Sequence, residues 1–155
     1  VVHIKGNPIS FITPYSILSF MYRKDILPDV KISSIQNSLV RTDENISVKG
    51  AIKLMIERWI RKVFAGNGVV DDRGLVDHVL FNMNSLSSLA KDPESVLDKP
   101  LSSFYGLLKE PEVYRDNDDI YEVAKKVLVS ETLCAVSEDM RYIITPFDIV
   151  IKPFI

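Results

Sequence analysis

Phe11-Ile12-Thr13-Pro14-Tyr15-Ser16-Ile17-Leu18, near the start of the chain, returns near its end as Ile143-Ile144-Thr145-Pro146-Phe147-Asp148-Ile149-Val150. The two stretches align without a gap at an offset of 132 (145 minus 13), with Thr-Pro-aromatic at the centre of both. A repeated stretch must be read as part of a repeated unit before any one residue is read for chemistry. Each copy is an apolar run, a Thr-Pro pair and a second apolar run. This is the pattern of a strand that ends and opens a helix, gathering hydroxyls and backbone N–H groups where an anion can be held.

Outward from the first copy, Val1 to Ile4 is expected to pair with Ile9 to Thr13 across Lys5-Gly6-Asn7-Pro8, which has turn chemistry. Ser16 is the expected N-cap of a helix from Ile17 to Arg23, with Ile17, Leu18, Phe20 and Met21 on one face. Residues 24–38 read as a connector and residues 39–42 as a short strand. Asn45 or Ser47 then caps a helix running to about Arg58, with Val48, Ala51, Ile52, Met55, Ile56 and Trp59 at helical spacing. Met55 and Trp59 are expected in the core. Val63-Phe64-Ala65 and Val69-Val70 have strand composition. Asp71-Asp72-Arg73-Gly74 reads as a turn, Leu75 to Phe81 as a strand and Ser85 to Ala90 as a short helix.

After a second connector, Lys91 to Pro111, the pattern returns. Tyr114-Arg115 matches Val40-Arg41 at an offset of 74 (115 minus 41), and Ile120 matches Ile46. Asp119 with Glu122 forms a capping box for a helix from Ile120 to Val129. Leu133 to Val136 and Arg141 to Thr145 read as strands around a turn, and Asp148 as the cap of the last helix. The lead-in recurs too: Lys31-Ile32-Ser33-Ser34-Ile35 is echoed by Lys99-Pro100-Leu101-Ser102-Ser103-Phe104. The reading is an α+β fold of tandem β-α-β-β-α units. Complete copies are expected at residues 30–92 and 99–152, and the second half of another at residues 1–23. One unit is too small to cover both faces of its sheet, so the units are expected to pair through their sheets. The half-unit exposes apolar faces, for which either an upstream segment or a second copy of the chain is the expected cover.

Composition removes several classes. The net charge of -2, with basic residues scattered, argues against a nucleic-acid partner. The single cysteine, Cys134, lies in an apolar run and is expected buried and reduced, which fits the cytoplasm. The sequence has no apolar stretch near the ~20 residues of a membrane span. It starts on Val1 rather than Met, from which a processed protein or a fragment of a longer one is expected. His3 and His78 are far apart, and Asp116-Asn117-Asp118-Asp119 lacks a calcium-loop pattern, so no metal is expected. That acidic run is read as a solvated turn feeding charge to a helix N-terminus. The nucleophile-elbow and phosphate-loop motifs are also missing, so the chain is not expected to be an enzyme.

Taken together, the Asp71-Asp72-Arg73-Gly74-Leu75 stretch, the Thr145-Pro146-Phe147-Asp148 ending, the helix after Thr42-Asp43-Glu44-Asn45-Ile46 and the repetition resemble the cystathionine β-synthase (CBS) domain. CBS domains work in pairs called Bateman modules. The resemblance covers essentially the whole chain. It implies a non-catalytic regulatory module with an adenine nucleotide (AMP, ADP or ATP, or S-adenosylmethionine) in a cleft between paired domains. It also implies association as a homodimer or with further CBS repeats. By family motif, Thr145 matches the first phosphate-contacting hydroxyl and Asp148 the carboxylate that takes ribose hydroxyls. Pro146 and Phe147 lie between them, and Phe147 stands where a second hydroxyl is usual, placed to pack on a base. In the first copy Thr13 is kept and Ser16 replaces the Asp. In the middle repeat Phe81-Asn82-Met83-Asn84-Ser85 lacks both groups and reads as a degenerate site. The resemblance also puts the strand end Tyr114-Arg115 at the ligand, with Arg115 able to take a phosphate bidentately and Arg41 as its counterpart. The alternative is a structural or oligomerisation domain with decayed sites.

Overall fold

The computed structural model describes residues 2–4, 7–81 and 83–155. Its elements in chain order begin with β1 (Val2–Ile4), β2 (Asn7–Ser10), α1 (Pro14–Arg23), α2 (Ile32–Ile35) and β3 (Asn37–Ser38). There follow β4 (Arg41–Thr42), α3 (Val48–Arg58), β5 (Lys62–Ala65), β6 (Gly68–Asp71), α4 (Asp72–Leu75), α5 (Met83–Lys91) and α6 (Glu94–Leu97). The last are β7 (Glu112–Tyr114), α7 (Ile120–Val129), β8 (Ala135–Ser137), β9 (Tyr142–Ile144) and α8 (Pro146–Val150). A π-helical turn, Val76–Leu80, continues α4. Two compact units result: Val1–Ser38 with Glu112–Ile155, and Leu39–Pro111.

In the first unit the sheet runs β3-β9-β8-β7, with β7 parallel to β8 and the other pairs antiparallel. A right-handed strand-helix-strand crossover through α7 is what a parallel β7–β8 pair requires. The Asp119 carboxylate accepts from the Glu122 N–H at 2.8 Å, and the Glu122 carboxylate accepts from the Asp119 N–H at 3.2 Å. The capping box read from the sequence is therefore present. It starts a helix that buries Ile120, Val123, Ala124 and Val127 on one face. Cys134 is buried as expected.

The second unit repeats this plan with β4-β5-β6, β4 parallel to β5. Backbone bonds between Val69 and Lys109 add the lead-in at the open edge, as β3 is added to β9. Ser47, not Asn45, caps α3, accepting from the Gly50 N–H at 3.1 Å. Val48, Ala51 and Met55 are buried, but Trp59 is almost fully exposed. Trp59 is the residue that ends the helix, with φ 55, so its side chain leaves the buried stripe.

The registers correct the sequence alignment. Ser47 caps α3 as Asp119 caps α7, so the first halves of the repeats match at an offset of 72 (119 minus 47) rather than 74, and Val113 then pairs with Val136 as Arg41 pairs with Phe64. Arg41 is therefore the counterpart of Val113, not of Arg115. After the hairpin the offset becomes 74 (143 minus 69), since Ile143 faces Val136 as Val69 faces Phe64. The two extra residues lie in the turn Glu138-Asp139-Met140-Arg141, against Gly66-Asn67 in the earlier hairpin.

Other expectations also fail. Leu75 to Phe81 is helical, not a strand. The Asp71 carboxylate accepts from the Gly74 N–H at 2.7 Å, making Asp71-Asp72-Arg73-Gly74 a helix start rather than a turn, and Leu75 and Val79 then bury one face at i, i+4 spacing. The connector 24–38 contains α2 and β3, whose sheet partner is β9, near the far end of the chain. In the N-terminal hairpin, β2 ends at Ser10 rather than Thr13, and Ile4 faces Asn7. The turn read at Lys5-Gly6-Asn7-Pro8 falls partly on Lys5 and Gly6, outside the described residues, as does Val1.

One face of the half-unit's helix is covered from within the chain, while Phe11, Ile12 and Phe20 stay largely exposed. Helix α1 packs on α7 and α8, and Leu18 is wholly buried in one cluster with Val127, Ile144 and Ile149.

Candidate functional site

The Thr-Pro repeats become two helix starts of one design. At α1, Thr13 is the N-cap and Pro14 the first helical residue, where a missing N–H is harmless. Thr13 Oγ1 accepts from the Ser16 N–H at 3.1 Å, and Ser16 Oγ accepts from the Thr13 N–H at 2.9 Å. Ser16 is thus the third helical residue reaching back, not the cap. At α8, Thr145 is the N-cap and Asp148 reaches back in the same way. Asp148 Oδ2 accepts from the Thr145 N–H at 2.8 Å and from Thr145 Oγ1 at 2.7 Å.

The remaining oxygen of Asp148 ties the helix to the lead-in. Oδ1 accepts from Asn37 Nδ2 at 2.7 Å, and Lys152 Nζ stands 3.4 Å away. Lys152 Nζ also donates to the Ile35 carbonyl at 2.8 Å and to Asn37 Oδ1 at 2.6 Å. The Asp148 residue is 2% exposed. Each of these partners satisfies a charge or dipole that would otherwise be costly to bury. Lys152 was legible as an i, i+4 partner of Asp148. Asn37 was not, because only the β3–β9 pairing brings it there.

The other candidates differ in access. Thr145 is half-buried and Pro146 buried, while Phe147 is about half exposed beside them. The Tyr114 side chain is wholly buried in the core, its hydroxyl donating to Gln36 Oε1 at 2.9 Å. Burial pushes that hydroxyl's pKa well above its ordinary value, so it stays a neutral donor. The Tyr114 carbonyl accepts from the Glu138 N–H at 2.9 Å. Arg115 projects into solvent, its guanidinium 3.9 Å from the Glu138 carboxylate. Thr13 and Ser16 are exposed at the start of α1. Thr145, Asp148, Asn37 and Lys152 are therefore joined by direct bonds.

In the middle repeat the counterpart of Thr145-Pro146-Phe147-Asp148 is Asp71-Asp72-Arg73-Gly74, at the same offset of 74 (145 minus 71). It is not Phe81–Ser85, of which Asn82 lies outside the described residues. A carboxylate, Asp71, replaces the Thr hydroxyl there, and a glycine replaces the Asp. Arg41 lies with its guanidinium 5.3 Å from the centre of the Phe64 ring.

Within the acidic run, Asp118 is not a solvated turn residue. It accepts from the Arg115 N–H at 3.0 Å and pairs with Lys126, with little of its side chain exposed. The hydrogen bond from Lys126 holds its carboxyl below the ordinary value of 3.8. A carboxyl depressed by folding contributes stability above its unfolded pKa and loses it as pH falls through the folded one. Asp118→Asn is expected to lower stability at pH 7 by about 1 kcal/mol. The gap from the parent should close below pH 4 in urea titrations at stepped pH. A constant gap down to pH 2 would exclude the ionic contribution.

No family model and no curated protein matches the sequence. Solved structures do match the fold. The CBS-pair protein CBSX2 from Arabidopsis thaliana superposes with a TM-score of 0.59 at 19% identity, over 79% of this chain and 93% of that one. Protein MJ1225 from Methanocaldococcus jannaschii gives a TM-score of 0.72 at 14% identity, over 94% of this chain and 55% of that one. The CBS domain protein PAE2072 from Pyrobaculum aerophilum, whose structure is a complex with AMP, gives 0.55 at 13% identity, over 79% and 92%. The chain has the CBS-domain fold. The α+β fold is present as two β-α-β-β-α units, but the lead-ins expected within residues 30–92 and 99–152 are exchanged: β3 extends the last repeat's sheet at β9, and Lys109 bridges to Val69 of the middle repeat. Among the described residues no helix is long and apolar enough to cross a membrane.

Proposed function

We propose that this CBS-fold chain is a non-catalytic regulatory module that binds an adenine nucleotide of the AMP, ADP or ATP kind at its last repeat. The observation that carries the reading is the Thr145–Asp148 pair directly after β9, in a fold shared with a protein crystallised with AMP. A carboxylate accepts from two hydroxyls, as a ribose offers, and the Thr145 hydroxyl can donate to a phosphate oxygen in place of Asp148 Oδ2. Phe147 offers a partly exposed ring for a base. Arg115 is an exposed guanidinium within the same unit, suited to phosphate. Thr13 and Ser16 form a second, weaker candidate without a carboxylate. Binding would act on a partner by linkage, favouring whichever arrangement of the module holds the nucleotide more tightly.

One observation favours a second reading, a structural or oligomerisation module. Both Asp148 oxygens already have protein partners, and a ribose must displace Asn37 or Thr145 Oγ1 to reach them. Isothermal titration calorimetry with AMP, ADP, ATP and S-adenosylmethionine, on protein stripped of nucleotide, separates the two. Saturation near one site per chain, lost in Thr145→Ala with Asp148→Ala shown to be folded, is the expected result. Absence of heat up to millimolar nucleotide leaves the structural reading standing.

A further inference from the structure

The Asn37 side chain is held from two directions at once. Its Nδ2 donates to Asp148 Oδ1 at 2.7 Å, and its Oδ1 accepts from Lys152 Nζ at 2.6 Å. Lys152 Nζ itself stands 3.4 Å from that Asp148 oxygen. The carboxamide therefore donates to a carboxylate and accepts from the ammonium beside it. An alcohol hydroxyl offers the same two bonds from a single atom, with one donor and two lone pairs.

The bonds around Asp148 differ in how readily they are given up. On Oδ2, the Thr145 N–H belongs to the backbone at the start of α8, and losing it undoes the capping box. On Oδ1, the partner is a side chain on β3, a strand of two exposed residues. Asn37 can turn its amide to water, which exchanges one set of hydrogen bonds for another at small net cost. Lys152 keeps the Ile35 carbonyl at 2.8 Å when Asn37 leaves, so the ammonium stays near the carboxylate. The exchangeable partner of Asp148 is therefore Asn37.

Resting on the nucleotide reading above, we propose that Asn37 is an internal competitor for the ribose. Its carboxamide occupies the place of a ribose hydroxyl, and the nucleotide binds by displacing it. The hydroxyl then donates to Asp148 Oδ1 and accepts from Lys152 Nζ, which makes Lys152 a ligand contact. Asn37 sets the affinity without touching the ligand, because binding is weakened by the fraction of molecules in which the place is already filled. The exchange also ties occupancy to β3, which pairs with β9 only through Asn37 with Ile143 and Ser38 with Tyr142. The coupling is reciprocal: the nucleotide loosens β3, and whatever draws β3 away favours the nucleotide. The residue after β3, Leu39, is the first of the second unit.

The test is calorimetric titration of AMP into the whole chain and into Asn37→Ala, both stripped of nucleotide and shown to be folded by urea unfolding. Asn37→Ala should be less stable than the parent yet bind AMP about tenfold more tightly. The opposite signs set a competitor apart from a residue that only supports the site, whose loss weakens binding or leaves it alone. AMP lacking both ribose hydroxyls should bind parent and variant equally, since it has nothing to put in the place of the amide. In the parent, amide hydrogen exchange across residues 36–39 should quicken when AMP saturates the site. AMP binding that is equal or weaker in Asn37→Ala overturns the competition and leaves the nucleotide site standing. So does a gain of the same size for the analogue without hydroxyls. Silence from both proteins up to millimolar AMP overturns the nucleotide site itself, and this inference with it.

Discussion

Asp148→Ala is expected to lower the free energy of unfolding by about 3 kcal/mol. The loss is large because this carboxylate is shared by three parts of the chain. It accepts from the Thr145 N–H and hydroxyl at the start of α8, from Asn37 in β3, and stands close to Lys152. Alanine removes all of these acceptors at once. The half-buried Thr145 N–H is left without its acceptor, whereas the exposed Asn37 amide can turn to water, and a buried unpaired donor costs more than a hydrogen bond gains. Lys152 is partly exposed and keeps the Ile35 carbonyl, which limits the penalty. Asp148→Asn should cost less, about 1 kcal/mol, since one oxygen can still accept from Asn37. Urea unfolding of both variants and of Asn37→Ala checks the ordering, and a double-mutant cycle should show that positions 37 and 148 are coupled. A loss for Asp148→Ala no larger than that of an ordinary surface substitution, about 0.5 kcal/mol, would mean the network is not closed in solution. The same atoms carry the proposed ribose contact, so binding by the variants is interpretable only on folded protein.

How much of this was visible beforehand depends on the range of the interactions. Local signals survived. The Asp119–Glu122 capping box, the Ser47 cap and the helix from Ile120 to Val129 depend on residues within a turn or two, and all formed. The repeat was legible through Thr13-Pro14 and Thr145-Pro146, and so was the fold family. Misreadings arose where one residue type serves two structures. Leu75-Val76 with Val79-Leu80 has the composition of a strand, yet a carboxylate cap at Asp71 turned the segment helical. Trp59 fitted the helical period but fell one residue past the helix end. The repeat offset was misjudged by two residues because a turn-length difference cannot be placed without strand register. Asn37 was out of reach for a deeper reason: its role depends on a strand pairing that joins residues 37 and 143. Such non-local pairings leave no mark on either segment alone.

Leu18→Ala should be as damaging as the loss of Asp148, at about 3 kcal/mol. Leu18 has no exposed surface and belongs to the cluster that includes Ile35, Tyr114, Val127, Ile144 and Ile149. Its removal leaves a cavity where α1 meets α7 and α8, and the surrounding helices can close it only in part. A ten-residue helix has little stability of its own, so its order rests on this contact. The neighbouring Phe20→Ala is the control. Phe20 lies on the same helix but faces largely outward, and its loss should change stability by less than about 0.5 kcal/mol. Proteolysis gives an independent reading, since cutting after Arg23 or Lys24 requires α1 to leave its seat. Cleavage there should accelerate in Leu18→Ala and stay unchanged in Phe20→Ala. If the two variants behave alike, α1 is not held in the first unit.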